Sequence, residues 1–147
     1  ITISSTTTTT TTTAAAGAEL FAALYPCWSH SAGAALSLCF LAQAYNHACD
    51  ILTCLARMPI GAEVLVQLDR LVSLLETPAY AALRLQLLRP RRFAALTRAL
   101  YGLLALLPQC NAWRLLNARL QSAPALALLA LEDAEEENSR RRGWSSG

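Results

Sequence analysis

A chain of 147 residues that is 54% hydrophobic and 15% charged has the apolar surface for one continuous core and too little length for two. That composition excludes a wholly disordered chain, and no apolar run reaches the roughly 18 residues that a membrane span needs. The formal net charge is +2, and every basic residue is an arginine.

Residues Thr6 to Thr13 are an unbroken threonine run followed by Ala14, Ala15, Ala16 and Gly17. The run has no apolar periodicity, so residues 1–17 are expected to be a disordered leader and the folded part to span 18–122. A first helix places Leu20, Phe21, Leu24 and Trp28 on one face, and Ser29, His30 and Ser31 close it. Ser31 is a suitable N-cap for a second helix over 32–43, which is apolar nearly all round and is therefore predicted to be central. The third, over 45–58, sets Ala48, Ile51, Leu52, Leu55 and Met58 against Asn46, Asp50, Thr53 and Arg57, and Pro59 and Gly61 break it. A fourth, over 62–76, is expected to bury Leu65, Leu68, Leu71, Val72 and Leu75.

Thr77 followed by Pro78 reads as an N-cap with proline at the first helical position of a fifth helix that ends near Leu88. Beyond Pro90, the stripe Phe93, Leu96, Leu100, Leu103, Leu104 and Leu107 gives the strongest helical period in the chain. Gly102 lies inside that sixth helix and predicts a close approach by a neighbour. Pro108 ends the helix, and Asn111 caps a seventh with Trp113, Leu116 and Leu120 inward. Residues 123–147 read as a weakly helical to disordered charged tail. The predicted fold class is all-α: stacked helical hairpins (HEAT-like) or a compact helical bundle of about seven short helices.

Charge is unevenly spread. Residues up to Glu76 hold five acids against two arginines, residues 77–131 hold seven arginines and no acid, and the tail from Glu132 holds five acids and three arginines. A surface without acids attracts anions. The simpler reading of Arg84, Arg89, Arg91, Arg92 and Arg98 is that they keep an apolar helix soluble. The alternative is a peripheral membrane-surface binding module that uses this arginine patch. No recognition-helix signature or interleaved aromatics accompany the arginines, so nucleic acid is not an expected partner.

The five cysteines are Cys27, Cys39, Cys49, Cys54 and Cys110. No signal-peptide pattern precedes them, so reduced thiols in a cytosolic protein are expected. The chain opens at Ile1 and reads as a fragment. Cys27 with His30, and His47 with Cys49, are the nearest approaches to a metal-ligand pair, and the second pair diverges on a regular helix. Buried thiols and surface histidines are the expected reading. No nucleophile elbow surrounds any cysteine, no glycine-rich phosphate cradle exists, and the carboxylates Asp69 and Glu76 fall on a polar helix face. The sequence thus predicts a protein that is not an enzyme, with no catalytic, cofactor-binding or metal residues and no cofactor.

Several blocks of residues carry a family likeness. They are Leu20-Phe21 with Leu24-Tyr25, Trp28 and His30; Ser37-Leu38-Cys39-Phe40-Leu41 with Gln43, Tyr45, His47 and Ala48; Val66-Gln67-Leu68-Asp69-Arg70-Leu71-Val72 with Leu74-Leu75-Glu76 and Pro78; Leu83-Arg84-Leu85-Gln86-Leu87-Leu88; and Ala99-Leu100-Tyr101-Gly102-Leu103-Leu104 with Leu106-Leu107-Pro108-Gln109. In unbroken order from about Glu19 to Leu120, they resemble the C-terminal domain of the vacuole-morphology HEAT-repeat scaffold, number fourteen of its series. Ala44 departs from an asparagine usual in that family, which removes a helix cap. Within the arginine cluster, only Arg84 fits the pattern.

The resemblance implies a non-catalytic scaffold of phosphoinositide metabolism. Such scaffolds hold the PIKfyve lipid kinase together with the Sac-type phosphatase that removes the same phosphate from phosphatidylinositol 3,5-bisphosphate. The C-terminal region is the part associated with self-assembly and phosphatase docking, whereas the kinase binds an upstream array. The implied setting is peripheral, on the cytosolic face of endosome or vacuole membranes, with a homo-oligomer expected. A scaffold acts through exposed apolar residues. The candidate interface residues are Phe21, Tyr25, Trp28, Tyr80, Tyr101 and Trp113, with Arg84 as a charged anchor.

Overall fold

All the regular secondary structure is helical in the residues that the structure, a computed structural model, describes: 6–123, with side chains from residue 14 onward. The helices are α1 (Thr6–Trp28), α2 (Ala32–Leu41), α3 (Tyr45–Ala56), α4 (Ala62–Leu75), α5 (Ala81–Gln86) and α6 (Ala94–Leu106), with a 3-10 turn at Pro78–Tyr80. A further helix, α7, covers 111–123. The charged tail expected over 123–147 lies outside the described residues except for Ala123, which is helical and buried.

The leader expected to be disordered is instead helical from Thr6. Once Glu19 to Trp28 have nucleated a helix, each added residue fixes one more backbone bond at little cost, so the pattern-free threonines and alanines continue it. Residues 14–20 are exposed, so packing against the core does not hold that stretch of it. Pro26 sits in the last turn, where Ser29 ends the helix by donating its hydroxyl to the Pro26 carbonyl at 2.9 Å.

Ser31 caps α2 as expected: its Oγ accepts from the Ala34 N–H at 3.3 Å. At the other end, Gln43 adopts φ 58°, and the Ala44 N–H donates to the Cys39 carbonyl at 2.8 Å while that of Gln43 donates to Phe40. This is the left-handed closure in which glycine is usual. It stops α2 and lets α3 start at once. Ala44 caps α3 without any side-chain hydrogen bond. Ala44→Asn is expected to raise stability by about 1 kcal/mol, read as an upward shift of the urea midpoint.

Thr77 does not cap with its side chain; its Oγ1 donates back to the Leu74 carbonyl at 2.7 Å, and the segment after it begins as a 3-10 turn rather than a full α-helix. Arg84 Nη1 donates to the carbonyls of Leu75 and Thr77 at 2.7 and 2.8 Å. It therefore satisfies the end of α4, where last-turn carbonyls have no helical partner.

The expected central helix is central. Among the described residues α2 touches α1, α3, α4 and the 3-10 turn, and α3 packs on α6. The principal pairings join α2 with α4 and α3 with α6, which skip their neighbours in sequence, so the compact bundle describes the chain better than a row of consecutive hairpins. One core joins Leu36, Phe40, Leu52, Leu68, Leu96 and Leu103, and Leu116 and Leu120 of α7 belong to it. No described helix is long and apolar enough to cross a membrane.

Two glycines differ in what surrounds them. A Cβ on Gly33 would stand 2.9 Å from Gln67 Cβ and 3.1 Å from the Gln67 carbonyl oxygen, so α2 and α4 meet where only glycine fits. On Gly102 it would meet Leu52 at 3.5 Å, an ordinary contact, so the close approach expected there is absent. Gly33→Ala is expected to destabilise the chain by about 1–2 kcal/mol, overpacking outweighing the gain in helix propensity. Gly102→Ala is expected to stabilise it by up to about 1 kcal/mol. Parallel thermal melts check both signs.

Candidate functional site

The α2–α4 seam opens to solvent on one side as an apolar groove of about 330 Å³. Its floor is fixed by Gln67, whose Oε1 accepts from Ser31 Oγ at 2.9 Å and from the Gly33 N–H at 3.2 Å. One amide oxygen thus ties the start of α2 to the middle of α4. Below it the buried Ser37 donates to the Gly33 carbonyl at 2.8 Å, and its own carbonyl accepts from the Tyr80 hydroxyl at 3.2 Å. Trp28, Leu41, Leu71 and Leu74 supply the apolar walls, and Arg70 is a charged rim residue.

Two of these walls are bare, whereas Leu71 is buried and Trp28 half-buried. Leu41 is 47% exposed, Leu74 45% and the neighbouring Val66 51%. Val66, Arg70 and Leu74 follow one another at i, i+4 and i+8 along α4, opposite its buried stripe Leu68, Leu71, Val72 and Leu75. Clustered apolar side chains in solvent mark a surface that another molecule covers.

The groove gathers only Trp28 and Tyr80 from the residues expected at an interface. Trp28 is half-buried at its edge, but Tyr80 is buried, 5% exposed, and works as core. Phe21 and Tyr25 stack with each other at 5.4 Å between ring centroids, and Tyr25 lies 5.0 Å from His47 of α3. These rings fasten α1 to the bundle, and His47 is half-buried there rather than a surface histidine. Trp113 is half-buried against the core, while Tyr101 is 44% exposed on α6. Arg84 is occupied by the α4 carbonyls and is not a free anchor. Sequence reasoning missed Leu41, Val66 and Leu74. Their signal was present, since apolar residues at 66 and 74 interrupt the otherwise polar face of α4.

Three titratable groups that burial perturbs, Cys39, Tyr45 and Cys49, lie outside the lining of the groove. Burial pushes the Cys39 thiol up to about 11 and the Tyr45 phenol up to about 12, and Tyr45 donates to Gln86 Oε1. Burial also raises Cys49, whose Sγ contacts the Ala95 carbonyl at 3.4 Å. These groups stay protonated at neutral pH, which suits packing and not nucleophilic attack. Cys27, Cys54 and His30 are exposed, and among the described residues no three potential metal ligands converge. The described cysteines are all free thiols.

Residues 5–123 match the family model described as Vacuolar protein 14 C-terminal Fig4p binding. The chain belongs to this family. Within the Vacuolar protein 14 C-terminal family, it is 52% identical over 109 residues to Protein VAC14 homolog of Arabidopsis thaliana, covering 74% of this chain and 15% of the relative. Protein VAC14 homolog of Schizosaccharomyces pombe is 46% identical over 103 residues, 70% of this chain and 13% of the relative. Vacuole morphology and inheritance protein 14 of Saccharomyces cerevisiae is 37% identical over 102 residues, 69% of this chain and 12% of the relative. The chain therefore spans roughly one-seventh of the length of these Vacuolar protein 14 relatives. No solved structure matches it.

Proposed function

We propose that this chain is a non-catalytic docking module of a scaffold, and that the α2–α4 groove receives a Sac-type phosphoinositide phosphatase. The family match over residues 5–123, to a domain described by its Fig4p binding, is the observation that carries this reading. The groove supports it, because bare leucines beside a rigid seam are what a partner's apolar side chains need. In the same reading the module self-assembles, and a PIKfyve-type kinase joins through a region upstream of this chain. The assembly sits on the cytosolic face of endosome or vacuole membranes.

Co-expression with a Sac-type phosphatase tests the docking. The two should co-elute in size exclusion, and separate elution at concentrations of about 10 μM, where even a modest interface of this kind is occupied, overturns the reading. Light scattering tests self-assembly, which predicts a molar mass several times 15.8 kDa.

A second reading, membrane-surface binding, is favoured by the exposure of Arg89, Arg91, Arg92 and Arg98 around the start of α6. It predicts stronger sedimentation with phosphoinositide-containing liposomes than with neutral ones, and equal sedimentation refutes it.

A further inference from the structure

Among the described residues that line the α2–α4 groove, Arg70 carries the only charge, and no acid accompanies it. The half-buried arginines of the fold are satisfied from within, Arg84 by the α4 carbonyls and Arg119 by Glu76. Arg70 is exposed and forms no ion pair among the described residues. The acids of its own helix lie elsewhere: Asp69 turns toward the residue before α7, its Oδ1 3.8 Å from Cys110 Sγ, and Glu63 stands roughly 10 Å back along α4. Water alone solvates this guanidinium in the free chain.

Docking takes that water away. Val66, Arg70 and Leu74 follow one another along α4 in steps of roughly 6 Å, so the arginine emerges between two apolar side chains that are about half exposed. Whatever covers Val66 and Leu74 also covers Arg70. A desolvated guanidinium without an acceptor costs more than two apolar contacts return. The occupant therefore has to present an acceptor at that point. A carboxylate suits it best, because it takes the planar fork through two parallel hydrogen bonds and cancels the charge.

The occupant's backbone is constrained as well. Both walls of the groove are helices, with no strand edge to pair with, so an extended segment would leave its peptide groups unsatisfied where a helix satisfies its own. The described helices of this chain do not offer the matching pattern to a second copy. Glu19 and Asp50 have no large aliphatic neighbour one turn away, Glu63 has no turn of α4 before it, and Asp69 has exposed Val66 on one side but buried Val72 on the other.

We infer that the α2–α4 groove takes an amphipathic helix of the partner phosphatase, one that carries an acidic side chain with an apolar residue a turn away on each side. The acid meets Arg70, and the apolar pair meets Val66 and Leu74 with Leu41 opposite. The inference rests on the docking of the phosphatase at this groove and adds the chemistry of the segment that docks.

Titration calorimetry of the 147-residue chain with a purified Sac-type phosphatase tests it. Arg70→Glu is expected to weaken binding at least roughly thirtyfold, as breaking a desolvated charge pair does, with circular dichroism unchanged because Arg70 is exposed. Arg57→Glu changes the net charge equally at an exposed position outside the groove lining, and it should bind like the wild type. With the surface acids of the phosphatase replaced singly by arginine, one replacement should restore binding to Arg70→Glu to within about tenfold of wild type. Wild-type affinity in Arg70→Glu overturns the inference; if Leu41→Ala with Leu74→Ala still weakens binding, the groove remains the docking site and only the ionic contact is lost. If that double variant also binds like the wild type, the docking reading falls too. Equal losses in Arg70→Glu and Arg57→Glu, or a scan of the phosphatase without a restoring replacement, overturn the inference alone. So does an Arg70→Glu chain that keeps the phosphatase but loses self-assembly in light scattering, which gives Arg70 to a second copy.

Discussion

Leu74→Glu, alone or with Leu41→Glu, is expected to abolish co-purification with a Sac-type phosphatase while leaving the helical circular dichroism and the melting midpoint close to wild type. Both side chains are about half exposed in the free chain, so a carboxylate at either position stays hydrated and costs the fold little. Docking removes that water. An unpaired carboxylate enclosed between apolar surfaces loses far more than the leucine contact it replaces. Central interface residues of this kind contribute about 2 kcal/mol or more, so the affinity should fall at least roughly thirtyfold. Leu115→Glu is the control, since Leu115 is 43% exposed on α7 and does not line the groove. Titration calorimetry or immobilised-partner binding reads the difference. Wild-type affinity in Leu74→Glu would remove the α2–α4 groove from the interface.

How far such a surface could be read from the sequence depends on the kind of signal each residue gives. Helical stripes are local, and the buried positions of α4 and α6 follow from period alone: Leu68, Leu71, Val72 and Leu75, then Leu96, Leu100 and Leu103. The centrality of α2 was equally legible, because a helix with apolar residues on all sides has no face to give to water. Pairing is a non-local property. Nothing in the spacing of residues says that α4 skips α3 to pack on α2, or that Gly33 rather than Gly102 marks the close approach. The aromatic candidates misled for a related reason: Phe21, Tyr25 and Tyr80 are large and amphipathic enough to serve either a core or an interface. Only the neighbours decide, and here these are His47 for the first two and the Ser37 carbonyl for the third.

The same packing makes Phe40→Ala the most damaging single truncation expected in the chain. Phe40 is 1% exposed, sits on the central helix, and its ring lies 6.4 Å from that of Tyr45 at the start of α3. Removing it leaves a cavity lined by elements that are already fixed to one another, so little of the void can close, and the loss should be about 3–5 kcal/mol. In a domain of this size that lowers the melting midpoint by roughly 10–25 °C. Phe93→Ala offers the contrast: its ring is only partly buried, with the Arg92 guanidinium 5.8 Å from its centroid, and about 1 kcal/mol is expected. The two large-effect variants then separate by temperature. Phe40→Ala weakens phosphatase binding only through the unfolded fraction, so binding should recover when the sample is cooled well below its own midpoint. Leu74→Glu leaves a folded chain with an altered surface, and cooling should restore nothing. If Phe40→Ala stayed unable to bind when fully folded, the groove wall formed by α2 would have to depend on the Phe40 ring for its shape as well as its stability.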